Sequence, residues 1–151
     1  MEGEEPKRGY LAAVFGCYCP RCRTGKLFKN PLSIGVSKNM AMHERCPACA
    51  QRSEIEIGFY YGTGYLSYLL ALFYTGITFL LWWLLIGFSF HDRRFFVWIA
   101  VNAVSLLFMQ AWLMRFSRVL WLSFFVSYNP FWASQPPADP ERIVEEQMNN
   151  W

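Results

Sequence analysis

Cys19-Pro-Arg-Cys22 and its echo Cys46-Pro-Ala-Cys49 are the two stretches from which the rest of this chain is read. In each, two thiols flank two residues, so both sulfurs of a tight turn can face one point. Residues 23–45 are long enough for a short hairpin to bring the second turn against the first. Four thiolates then close a tetrahedron, the arrangement Zn2+ takes in structural sites. Proline after the leading cysteine fixes φ and removes a backbone donor, leaving the other amides to point at the sulfurs. Four unrelated buried thiols or two disulfides are the alternatives, and the paired spacing favours the metal. Cys19, Cys22, Cys46 and Cys49 are therefore the expected ligands of a structural Zn2+, although four sulfurs alone do not separate zinc from iron. His43, three residues before Cys46, could replace one sulfur, but four cysteines already complete the shell.

Outward from these turns the composition changes character. Apolar residues make up 54% of the 151-residue chain and aromatics 19%, with charged residues at only 17%, a balance suited to a protein partly solvated by lipid. No Asp, Glu, Lys or Arg occurs from Ile57 to Phe90, nor from Phe95 to Met114. A helix needs about 20 such residues to cross the hydrocarbon layer, and both runs suffice. A soluble core helix apolar on every face would have nowhere to bury itself. The expected fold is therefore a membrane α-hairpin of two transmembrane helices. It carries a small N-terminal zinc-ribbon (β) head and a C-terminal interfacial helix. Its parts are an N-terminal segment at 1–17, the ribbon at 18–56, the two-span hairpin at 57–114, an interfacial or partner-binding helix at 115–133, and an acidic tail at 134–151.

Within the first part, Tyr10 to Cys17 is a short apolar run ending in a cysteine. A lipoprotein signal acylated at Cys17 is disfavoured by the acidic start and by bulky Phe15 beside the would-be cleavage site. A short helix on the membrane surface or against the ribbon fits better, with Cys17 a spare thiol. In the ribbon, Gly25 suits a positive-φ position, Lys26-Leu27-Phe28 can begin a strand, and Glu54-Ile55-Glu56-Ile57 alternates as a last strand. Ala50 stands where such a turn often has glycine. Phe59-Tyr60-Tyr61 and Tyr65 form an aromatic belt ahead of a first span at about 64–86, with Trp82-Trp83 at the far boundary. Gly58, Gly62, Gly64 and Gly76 would let another helix approach closely.

Gly87 to Arg94 is a solvated connection, so His91 and Asp92 read as loop-tip residues rather than a ligand or proton pair. In the second span, at about 95–114, Asn102 and Gln110 lie eight apart and are expected on one face, bonding to the neighbouring helix. Uninterrupted helix to residue 128 would outrun the membrane, so residues after Arg115 either protrude or bend into the headgroup plane. Farther on, Asp139 and Pro140 are suited to start a short acidic helix.

Charge orients the hairpin. Of the 14 Lys and Arg residues, Arg93 and Arg94 lie in the connection and the others on the side of the termini. The positive-inside rule puts both termini in the cytoplasm, where thiols also stay reduced. A net charge of +3 without a basic stripe interleaved with aromatics argues against nucleic acid. The basic residues instead suit anionic lipid headgroups. No nucleophile–base set, phosphate loop or carboxylate pair appears, so a non-enzymatic role is expected.

The string Cys19-Pro-Arg-Cys-Arg-Thr-Gly-Lys-Leu-Phe28, then Cys46-Pro-Ala-Cys49, then Tyr60-Tyr-Gly62 opening two spans, resembles a bacterial membrane family known as domain of unknown function 983. Arg118-Val-Leu-Trp121 followed by Tyr128-Asn-Pro130 is similar to its Bacteroidetes form, and the likeness covers about residues 10–130. The resemblance implies a zinc-ribbon head on two transmembrane helices in the bacterial inner membrane, with no established activity. It also implies an association with genes for assembling heme-copper oxidases. The expected role is thus an accessory subunit or assembly factor of a larger membrane complex, with a respiratory oxidase or another electron-transfer complex as the partner. Two alternatives stay open: a thiol or metal carrier serving metalloenzyme assembly, and a membrane-tethered regulatory ribbon.

Overall fold

The computed structural model describes residues 8–33, 35–87 and 93–137. The predictions for His91 and Asp92, and for the acidic helix after Asp139, lie outside the described residues. Among the described residues the elements follow in order: α1 (Tyr10–Phe15), α2 (Val36–Met40), a single 3-10 turn (Phe59–Tyr61), α3 (Gly62–Ile86) and α4 (Arg94–Phe125).

The two long helices are both long and apolar enough to cross a membrane. With 25 residues α3 is ~37 Å long, and with 32 residues α4 is ~48 Å long, at ~1.5 Å per residue. They run antiparallel, joined along the seam by small polar groups. Ser67 bonds Ser117 at 2.8 Å, Tyr74 bonds Ser105 at 3.0 Å, and Asn102 accepts from Thr78 at 3.0 Å while donating to Thr75 at 3.4 Å. In a lipid surrounding such bonds bind helix to helix, because a lone amide finds no water there.

Asn102 thus has the role expected of it. Gln110 does not: it is exposed. The reason is angular, since eight residues at ~100° each overshoot two turns by ~80°, which carries Gln110 off the seam. The glycines divide in a similar way. A Cβ on Gly62 would collide with the Trp121 indole, so Gly62 lets the start of α3 press against α4, whereas Gly64 and Gly76 face open space.

α4 passes without interruption through Arg115 and on to Phe125. The N-terminal head is packed around its last turns. Phe116, Val119, Leu122 and Val126 share one core with Val14, Leu27, Phe28 and the four paired cysteines. On one side, α1 presses Ala13 and Val14 inward, sets Phe15 at a tilt against Phe116 with ring centres 4.9 Å apart, and bonds Tyr10 to Ser123 at 3.0 Å. On the other, Asn39 of α2 is fully buried and donates to the Ala111 carbonyl at 2.7 Å. The aromatic residues after Arg115 are therefore covered in part by the chain's own head.

The head differs from the expected β ribbon. Among the described residues no strand forms; three isolated antiparallel bridges, Tyr18 with Lys26, Phe28 with Met42 and Arg45 with Arg52, stand in place of a sheet. Residues 27–29 and 41–43 exchange only two backbone bonds, His43 to Leu27 at 2.8 Å and Lys29 to Ala41 at 2.9 Å, before the chain turns away. The alternating Glu54-Ile55-Glu56-Ile57 forms no strand; it leads through a bend, with the Glu56 carbonyl accepting from the Phe59 amide at 3.1 Å, into the turn at Gly58. With the pairing limited to isolated bridges, the head is held by its cysteine centre and by its packing on α4.

Candidate metal centre

Both cysteine turns have the same backbone. In the first, the amide of Arg23 donates to the Cys19 carbonyl at 2.8 Å; in the second, the amide of Ala50 donates to the Cys46 carbonyl at 2.9 Å. The residue after each closing cysteine is left-handed, Arg23 at φ 58° and Ala50 at φ 56°. That conformation turns the chain back so that the two sulfurs of a pair point the same way. The positive φ expected at Gly25 therefore belongs to Arg23. Gly25 is needed for a different reason: a Cβ there would overlap Cys46 Sγ and come within 3.1 Å of the Ala48 methyl. It is where the two turns touch, and its amide points at Cys22 Sγ at 3.5 Å.

The four sulfurs converge. Cys19 and Cys49 approach to 3.7 Å, Cys22 and Cys46 to 3.8 Å, and all four lie within 4.8 Å of one another. An ion with sulfurs at ~2.3 Å in a tetrahedron puts them ~3.8 Å apart, whereas a disulfide needs ~2.05 Å. The four are free thiols, and all are buried. This donor set fits a closed metal site and leaves no position for substrate or water. Without an ion the thiols share protons. Hydrogen bonds from Cys19, and then from Cys46 and Cys49, pull the Cys22 thiol well below its ordinary range, and Cys46 is held at about 7 chiefly by its bond from Cys19. Cys19 moves the opposite way, because it donates to Cys22.

Arg21, inside the first turn, connects the site to its surroundings. It is buried and donates to the Cys49 carbonyl at 3.2 Å and to the Gln135 carbonyl at 2.6 Å. The segment after α4 returns over this turn, with Asn129 donating to the Arg21 carbonyl at 3.2 Å and Tyr128 beneath the Arg23 guanidinium at 4.1 Å.

The other sulfur and nitrogen candidates stand apart. His43 is not in the cluster; its backbone bonds Leu27 and Ser53. Cys17 is separate and half-buried, and burial pushes its thiol up to about 11, offset in part by Arg115. It is a poor nucleophile near neutral pH. Three residues that build the site's frame had no signature in the cysteine spacing: Asn39, Arg115 and Arg118. Arg115 is buried, donates to the Asn39 carbonyl at 3.0 Å and the Pro31 carbonyl at 2.9 Å, and lies 4.6 Å from the centre of the Phe28 ring. The signal that could have revealed it is an arginine inside a helix that never breaks, where a cation must find carbonyls or an aromatic face.

Two outcomes follow for the site. Ala50→Gly is expected to stabilise the head by ~1 kcal/mol, because glycine holds φ 56° without the clash of a Cβ. Denaturant unfolding of the metal-loaded protein measures it. Metal retention is expected to weaken as pH falls, since each ligand must be a thiolate and protons compete for it. Release to a chromogenic chelator should be slight at about pH 8 and rise steadily toward about pH 5.

Fold and site together define a class: two helices of membrane-crossing length and apolarity, fused to a compact head whose centre is a cluster of four cysteines that could hold a metal ion. Compared with known protein families, with characterised proteins and with solved structures, the chain finds no match.

Proposed function

We propose that this protein is a non-catalytic membrane subunit in which a structural Zn2+ fixes a cytoplasmic head on a two-span hairpin, and that it serves a larger membrane complex as accessory subunit or assembly factor. The observation that carries this reading is the placement of the four buried sulfurs in the same core as Phe116, Val119 and Leu122 of α4. A metal built into the joint between head and helix sets shape rather than doing chemistry. Zinc is the ion favoured, because a closed shell of four thiolates in a reducing compartment is its structural preference. The distribution of Lys and Arg supports a cytoplasmic head and the inner membrane.

Apolar surface in excess of what two helices can cover supports a partner. Leu84 and Leu85 on α3, and Leu107 and Phe108 on α4, are all more than two-thirds exposed. The open face at Gly76 would admit a further helix closely. We further propose a respiratory oxidase or related electron-transfer complex as the first partner to seek, on the resemblance read from the paired-cysteine and Tyr60-Tyr-Gly62 motifs. Purification from native membranes in mild detergent should return the protein with stoichiometric partners and one zinc per chain; recovery as a lone monomer at full abundance contradicts the reading.

The alternative of a thiol or metal carrier requires an exchangeable metal or a reactive pair. The closed shell and the raised Cys17 thiol weigh against it. Zinc that survives mild chelation with all thiols unreactive would exclude it.

A further inference from the structure

The short helix α1 carries no charged side chain, although one side of it faces outward. Its inner side is Ala13 and Val14, both buried, with Val14 in the core shared with α4. Its outer side is Leu11, Ala12 and Phe15, with Leu11 66% exposed and Phe15 52% exposed. A helix lying between a protein core and water has a polar outer side. This one is apolar on both, and the hydroxyl of Tyr10 is turned to Ser123.

Two separate sets of contacts fix the height of α1 on the hairpin. On α4, the Phe15 carbonyl accepts from the Trp112 indole at 3.3 Å, the Phe15 ring lies against Trp112 and Phe116, and Tyr10 reaches Ser123. The helix therefore occupies the heights of residues 112–123, and its lower end overlaps the charge-free run that stops at Met114. On α3, Ser67 bonds Ser117, and Gly62 lies against Trp121. Tyr61 and Tyr68, the neighbours of those two residues, thus stand level with Trp121 and Phe116, with Tyr65 between them. All three tyrosines are at least 66% exposed, and their spacing puts them on one face. A row of exposed tyrosines marks the boundary between water and lipid. The outer side of α1 lies at that same height, against the other helix of the hairpin.

We infer that α1 is a lipid contact: its outer side is covered by the headgroup layer and upper acyl chains of the cytoplasmic leaflet, with Phe15 deeper than Leu11. The head is thus set partly into the membrane rather than held above it. To a partner protein this side offers only three side chains, far short of the roughly 800 Å2 per partner of a stable interface, whereas lipid covers any apolar area it meets. The inference rests on the membrane placement proposed above.

The test uses the full-length, metal-loaded protein in vesicles of phosphatidylglycerol and phosphatidylethanolamine, with Leu11 replaced by the photoreactive benzoylphenylalanine. Lipid adducts are counted by mass spectrometry after irradiation. The same replacement at Ala133, exposed in the segment that returns over the first cysteine turn, is the water-side control. At Leu107 of α4, 76% exposed, it is the lipid-side control. Position 11 should give about tenfold or more lipid adduct over position 133, the factor set by burying one leucine side chain. Adduct at position 11 no higher than at position 133, with position 107 labelled, overturns the inference and leaves the hairpin in the membrane. An unlabelled position 107 would defeat the membrane placement itself, and the inference with it. Cross-linking from position 11 to a second copy of the chain, or to another protein when irradiation is repeated in native membranes, in preference to lipid, also overturns it. Metal content reports folding; if the position 11 protein loses metal, the probe moves to Ala12, also exposed, with the same expectation.

Discussion

Replacing Cys46 by serine is expected to unfold the head and strip the protein of its metal. Cys46 lies within the cluster at 3.8 Å from Cys22, against Gly25, and its amide and carbonyl hold the second turn through Gln51 and Ala50. A serine hydroxyl does not ionise near neutral pH and is a poor ligand for zinc, so the tetrahedron opens. Structural zinc contributes roughly 10–16 kcal/mol in small domains. With only isolated bridges in place of a sheet, little else could substitute for it. Limited trypsin digestion should therefore cut the variant quickly at Arg45 and Arg52, while the metal-loaded wild type resists. An unchanged digestion pattern in Cys46→Ser, with metal absent, would refute a structural role for the ion.

The second large effect is expected at the joint rather than at the metal. Arg115→Ala removes two charge-assisted hydrogen bonds, to the carbonyls of Asn39 and Pro31, and a cation resting on the Phe28 ring. Each such bond is worth about 1.5–3 kcal/mol, and Asn39, one of the two partners, is buried, so a loss of ~3 kcal/mol or more is expected. Arg115→Lys should recover only part of it, because an ammonium cannot present a planar fork to two carbonyls. Hydrogen exchange resolves the effect by location. Residues 29–40 should lose protection while the cysteine turns keep theirs as long as metal is bound. Uniform protection in the variant would mean that head and helix are held together without Arg115.

Both predictions turn on features of unequal visibility in the sequence. The paired cysteines and the charge-free runs were legible because their physics is local: a two-residue spacing aims two sulfurs, and uninterrupted apolar residues over 20 or so positions cannot be solvated. The union of head and α4 was not legible, since it depends on contacts between residues some 75 positions apart, such as Arg115 with Asn39. In the sequence, Arg115 and Arg118 look like ordinary basic residues ending a span. Only their position on an unbroken helix wrapped by the head turns them into anchors. Gly25 had the right importance with the wrong cause, because a clash with a sulfur from the other turn has no sequence signature. The expected strands failed for a related reason. Alternation over four residues is weak where a cysteine centre, rather than a ladder, closes the fold.

The most direct check is X-ray absorption on the detergent-purified, full-length protein, with metal quantified in the same sample. One zinc per chain, with a single shell of four sulfurs at about 2.3 Å, is the predicted result. A protein that is metal-free yet natively protease-resistant, or whose cysteines are joined at the ~2.05 Å of disulfides, would contradict it.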